Sequence, residues 1–169
     1  RSANLIPRGF MTTNPLHRYY RQPKIYISLP SKGIYYPVGA LSGDPSNVPI
    51  FGMTGIDELT IKTPDALFNG EATVKLIESC CPSIVHASAM PVTDLDAILV
   101  AIRIATSGSQ MAVTHECSSC KETSDYEFNL HTVIERYSHL KFNNIVEISP
   151  ETTVCLKPLS YKDLSEFSV

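Results

Sequence analysis

The chain has 169 residues, with 43% hydrophobic and 18% charged side chains and a formal net charge of −3. Those values describe a globular chain with material for a core and exclude an intrinsically disordered one. No apolar run approaches the roughly 18 residues of a membrane span, and no N-terminal apolar segment resembles a signal peptide. The five cysteines, Cys80, Cys81, Cys117, Cys120 and Cys155, are accordingly read as reduced thiols in a cytosolic setting.

The charge is unevenly spread. Five of the 14 basic residues fall within residues 1–24, which contain no Asp or Glu, so nine face all 17 acidic residues in the rest of the chain. A basic arm thus precedes an acidic body, which disfavours nucleic acid as a partner of the body. Residues 1–23 are read as an extended arm. Within it, "LIPRG" resembles a protease-cleavable linker, so residues 1–10 are expected to be an added leader and Met11 the natural start. The cluster Arg18, Tyr19 and Tyr20, next to His17, is a candidate partner-binding segment.

Residues 24–169 are read as one domain. "KIYIS" alternates at strand period, "LPSKG" is a turn, and "IYYPV" reads as a second extended run. "GALSGDPSNVP" is a loop by composition, closed by a short strand at "IFGM". Thr54 is an N-cap for "GIDEL", with Asp57 three positions on as its reciprocal partner. Thr63-Pro64 is a second helix start, closed at Asn69-Gly70. "EATVKLIESCC" carries Val74, Ile77 and Cys81 at helical spacing and stops at Pro82. Cys80 and Cys81 are expected as buried small hydrophobes, and His86 as a satisfied structural histidine.

"TDLDAILVAIRIATSG" is the longest helical pattern, over about 94–107, with Thr93 as its expected cap and Gly108 beyond its end. Apolar residues cover nearly its whole circumference, which predicts a buried helix. Arg103 is its one interior charge. Either its guanidinium reaches solvent over a packed stem, or it forms a structural ion pair with Asp57 or Glu58.

The period then changes to two. Met111, Val113 and His115 alternate on one side of "CSSC", and Tyr126, Phe128 and Leu130 on the other, which predicts a β-hairpin over 109–130 tipped by the C-x-x-C. "LHTVIERYSHL" reads as a short helix. "NNIVEIS" and "TTVCLKPLS" read as a strand pair around Ser149-Pro150-Glu151, and "YKDLSEFS" as the first turns of another helix. Strands, then helices, then strands give an α+β fold rather than a doubly wound sheet.

Chemistry is sparse. No phosphate-binding glycine loop, nucleophile elbow or H-E-x-x-H is present. The C-x-x-C lies between strands, away from the helix N-terminus that would lower a redox thiol, so redox chemistry is the least favoured reading. As half of a zinc ribbon it offers Cys117 and Cys120, with His115 on the same strand face. Zinc is thus the candidate cofactor, and its fourth ligand is open among His131, Cys155 and a residue of a neighbouring copy. The alternative is a turn with two unligated cysteines.

Three blocks in order carry a resemblance: "YISLPSKGIYYP", "MTGIDELTIKTPDALFNGEATVKLIESC" and "LDAILVAIRIATSGSQMAVTHECSSC". Over residues 24–130 the chain resembles the baseplate hub and hub-assembly proteins of T4-type contractile phage tails. The resemblance implies a non-enzymatic structural or assembly subunit, found in the virion baseplate or in the host cytoplasm during assembly. Its partners would be other hub or wedge proteins, with no small-molecule substrate. A zinc-ribbon-like module binding nucleic acid or protein is the alternative.

Overall fold

A computed structural model of the chain describes residues 20–63, 70–140 and 144–167. The expected helix after Thr63-Pro64, the leader up to Arg18 and Tyr19 lie outside the described residues. Strands β1 (Ile25–Ile27) and β2 (Val48–Ile50) are followed by helices α1 (Gly55–Ile61), α2 (Glu71–Cys80) and α3 (Val92–Ser107). Then come hairpin strands β3 (Gln110–Glu116) and β4 (Thr123–Asn129), helix α4 (His131–His139), strands β5 (Ile145–Ser149) and β6 (Thr152–Cys155), and helix α5 (Tyr161–Phe167). The strands form three separate two-stranded antiparallel sheets, so the fold is α+β, as the element order predicts.

The core is built by residues between Ile27 and Ile102. Ile27 and Leu29 from β1 and its turn, and Val48 and Ile50 from β2, meet Leu76, Ile77 and Cys80 of α2 and Ile98, Ala101 and Ile102 of α3. Cys80 and Cys81 are fully buried, as expected of small hydrophobes. Burial pushes the Cys81 thiol up to about 12. Each such aliphatic side chain contributes about 1.5–3 kcal/mol on leaving water, which makes this cluster the main source of stability.

Local signals explain where elements start. Thr54 Oγ1 accepts from the Asp57 amide at 3.3 Å, and the Thr54 amide donates to Asp57 Oδ2 at 2.7 Å, closing the capping box. Ser160 and Asp163 repeat the device at α5, with the Ser160 amide 3.0 Å from Asp163 Oδ2. Gly52 lets β2 run against α3: a Cβ there would stand 2.7 Å from the carbonyl oxygen of Ala105. Beside it the Met53 amide donates to Thr106 Oγ1 at 2.9 Å.

Several expectations shift. The first sheet pairs Tyr26 with Pro49, so the second strand begins two residues before "IFGM" and ends at its first residue, Ile50. Each strand of a two-stranded sheet is an edge, where proline's missing donor does no harm. "IYYPV" is not a strand but the continuation of the Leu29–Tyr35 turn, whose Lys32 and Gly33 both take positive φ. Helix α3 begins at Val92 with Pro91 as N-cap. Thr93 therefore sits inside the first turn, and its buried hydroxyl finds no partner among the described residues. His86, expected as a satisfied structural histidine, is exposed.

Candidate functional site

Three places gather polar or exposed apolar groups. The first is the foot of α3. Asp94 is fully buried, its Oδ1 accepting from the Ser31 amide at 2.7 Å and its Oδ2 from Ser31 Oγ at 2.6 Å. The Tyr36 hydroxyl adds a third bond at 3.0 Å. Burial raises the Asp94 carboxyl despite these bonds and the nearby Lys32, and burial beside that carboxylate raises the Tyr36 phenol far above its usual value. Both Asp94 carboxylate oxygens are thus taken up by hydrogen bonds within the fold. It fastens the "LPSKG" turn to the buried helix. In the sequence Asp94 reads only as a favourable first-turn acid; nothing local reveals that it faces inward.

The second place is the entry of the chain into the body. Arg21 Nε donates to the Gly52 carbonyl at 3.1 Å, a contact Nη2 shares, and Nη1 donates to the Ser79 carbonyl at 2.8 Å. Its guanidinium stands 3.6 Å from Asp57 Oδ2 and 5.6 Å from the Phe51 ring centre. Burial works to raise the Asp57 carboxyl, but hydrogen bonds from Thr54 and Ser79 together with Arg21 hold it below the usual range. Arg21 thus does the work expected of Arg103. The Arg103 guanidinium instead donates to the Gly108 carbonyl at 3.3 Å, and among the described residues no ion pair joins it to Asp57 or Glu58. The physical reason is position: Arg21 reaches the Asp57 capping box from the strand side, whereas Arg103 turns to the carbonyl just past the end of its own helix. Tyr20, next to Arg21, is exposed.

The third place is the β3–β4 hairpin. Its register sets Met111 opposite Phe128 and Val113 opposite Tyr126. Directly opposed residues share a face, so these four make one apolar face, 40–58% exposed. The other face is polar, with Thr114 Oγ1 donating to Asp125 Oδ1 at 2.7 Å. Every residue of both strands is exposed. Leu130, just past β4, turns back into the core, its amide bonded to the Ser109 carbonyl at 2.8 Å. The β5–β6 hairpin is similarly bare, with Ile145, Val146 and Ile148 exposed.

At the hairpin tip the structure brings Cys117 and Cys120 together. The amides of Cys120 and Ser119 and the Cys120 thiol hydrogen-bond Cys117 and lower its thiol below the usual value. His115 lies on the same strand, opposite Ser124, but does not join the two sulfurs in a three-ligand cluster. Nor do His131 or Cys155: among the described residues no three His, Cys, Asp or Glu side chains converge on a metal position.

A cleft of about 400 Å³ runs between Tyr35, Pro91 and the segment Lys157–Asp163. Its one carboxylate, Asp163, is held low by the Ser160 hydroxyl and amide while capping α5. No helix among the described residues is long and apolar enough to cross a membrane.

A family model described as T4 bacteriophage base plate protein matches residues 56–168. The match takes in most of the second and third blocks singled out in the sequence and extends through the C-terminal strands, while the "LPSKG" block lies before it. No curated protein and no solved structure matches the chain. The matched span exceeds half of the 169 residues, and the chain belongs to the T4 bacteriophage base plate protein family.

Proposed function

We propose that this baseplate protein is a structural or assembly subunit of the baseplate hub of a contractile tail, acting through protein–protein contacts and without catalysis. The observation that carries the proposal is the β3–β4 hairpin. Its alternation is that of a sheet with one covered face, yet Met111, Val113, Tyr126 and Phe128 stand exposed. A two-stranded hairpin on its own is marginally stable, so a neighbour covering this face would gain apolar area and stabilise the hairpin at once. Both outer edges also keep unpaired backbone groups to which an extended segment of a hub or wedge protein can add a strand. The arm residues Arg18, Tyr19 and Tyr20, which precede the anchor Arg21 in sequence, are proposed as a second contact.

The ionisable groups support the same reading. Asp57 and Asp163 serve as helix caps and Asp94 as a buried fastener, which leaves them no freedom to act as acid or base. The test is genetic and physical. Loss of the gene should block tail assembly and infectivity, and the double variant Val113→Lys, Tyr126→Glu, whose opposite charges face each other across the strands, should fold normally but fail to complement or to co-purify with hub components. Full complementation by that variant would remove the hairpin from the proposal, and intact tails without the gene would remove the proposal itself.

A further inference from the structure

We propose that the C-x-x-C tip holds one zinc ion shared between two copies of this chain, ligated by Cys117 and Cys120 of each. The tip is shaped for metal ligation. The Cys117 amide donates to the Glu122 carbonyl and the Lys121 amide to the Cys117 carbonyl, both at 2.9 Å, which closes the turn between the strands. The amides of Ser119 and Cys120 point at Cys117. Amides aimed at a sulfur are the outer contacts that steady a thiolate ligand. Lys121, directly after the second cysteine, takes φ 59, a left-handed conformation that a residue with a Cβ adopts only at a cost of about 1–2 kcal/mol. Strain of this kind in a non-glycine residue collects where geometry serves a ligand.

Two thiolates do not close a structural zinc site, which takes four ligands in a tetrahedron. The described part of the chain supplies no third ligand at the tip. Cys80 and Cys81 are in the core, and Cys155 lies on β6. The tip is also accessible: Cys120 is exposed, Cys117 is partly exposed, and both flanking strands are bare along their length. A second copy approaching about a two-fold axis presents the same patch and so brings the two missing thiolates with it. As the ion binds, each of the four thiols gives up its proton to solvent, and the cluster carries a charge of −2.

The full chain, purified under reducing conditions with zinc and dialysed free of unbound metal, tests the proposal by elemental analysis together with sedimentation equilibrium. The expected result is one zinc per two chains and a dimer that falls to monomer on chelation and returns on adding zinc. Cobalt in place of zinc should show the intense thiolate-to-metal and tetrahedral absorption of a four-sulfur site. C117S and C120S, each checked for folding by circular dichroism, should lose both metal and dimer, while C155S keeps both. Zinc lost on dialysis, one zinc retained per monomer, a zinc-dependent dimer that survives C117S, or loss of metal in C155S would each overturn the proposal.

Discussion

Removing the Asp94 carboxylate should destabilise the fold in a manner that depends on what replaces it. Asp94→Ala leaves the Ser31 amide and hydroxyl and the Tyr36 hydroxyl without their acceptor, and Ser31 is itself buried. An unpaired buried donor costs about 1–3 kcal/mol, the partly exposed Tyr36 hydroxyl can turn to water, and relief of the buried charge returns part of the loss at Ser31, for a net of about 3 kcal/mol. In a chain of this size that lowers the Tm by about 6–12 °C. Asp94→Asn keeps the shape and an acceptor for the Ser31 amide, and should cost about 1 kcal/mol. The pH dependence separates the two contributions. The Asp94 carboxyl is raised by burial, so the folded chain holds its proton more tightly than the unfolded chain. The wild type should therefore gain on Asp94→Asn as pH falls through that raised value, and stop gaining below the ordinary carboxylate range. Urea unfolding of the three proteins across acidic to neutral pH measures both effects. An Asp94→Ala protein as stable as wild type, or a wild-type to Asn gap that ignores pH, would refute the account of the network.

Gly52→Ala should cost about 1–3 kcal/mol in thermal unfolding, because its methyl would stand 2.7 Å from a backbone oxygen that belongs to the buried helix and cannot yield. Arg21→Ala should lose about 1–2 kcal/mol, and Arg21→Lys should recover less than half of it, since one ammonium cannot reach the Gly52 and Ser79 carbonyls together. Thr54→Ala should cost about 1 kcal/mol. The lowered Asp57 carboxyl contributes stability that is present above the ordinary carboxylate value and lost as pH falls through its depressed one, a loss that Asp57→Asn should not show. Val113→Lys with Tyr126→Glu, an opposite-charge pair across the strands, should change stability by no more than about 0.5 kcal/mol, as exposed positions do, while abolishing the proposed hub association.

Much of this fold is written in local chemistry. The Thr54–Asp57 cap, the apolar circumference of Leu95 to Ile104 and the alternation around "CSSC" each name their element within a residue or two, because caps, helical stripes and strand pleats are set by neighbours in sequence. What was not legible depends on partners far along the chain. Asp94 meets Ser31 across 63 positions and Arg21 meets Ser79 across 58, and no pattern in "TDLD" or "YRQP" specifies those distances. Arg103 was the natural candidate for an ion pair because it is the lone charge in an apolar helix. Yet the carboxylate it would need is already engaged from the strand side. Thr93 looked like a cap by residue type, but Pro91 satisfies the helix start without a side-chain acceptor, since the Val92 amide is bonded to the Leu159 carbonyl. The C-x-x-C was visible at once, and its ligand deficit with it.

The bare hairpins separate two demands that most proteins must reconcile. Residues that recognise a neighbour usually also hold the fold, so a change in one disturbs the other. Here β3–β4 and β5–β6 stand outside the cluster of Ile27, Ile50, Ile77 and Ile98 that carries stability. Amide exchange should follow that division, fast along both hairpins and slow across α2 and α3. A partner surface placed on these hairpins, as proposed, could therefore vary over generations at little risk to folding, which would suit a component that must keep pace with changes in the proteins it is built against.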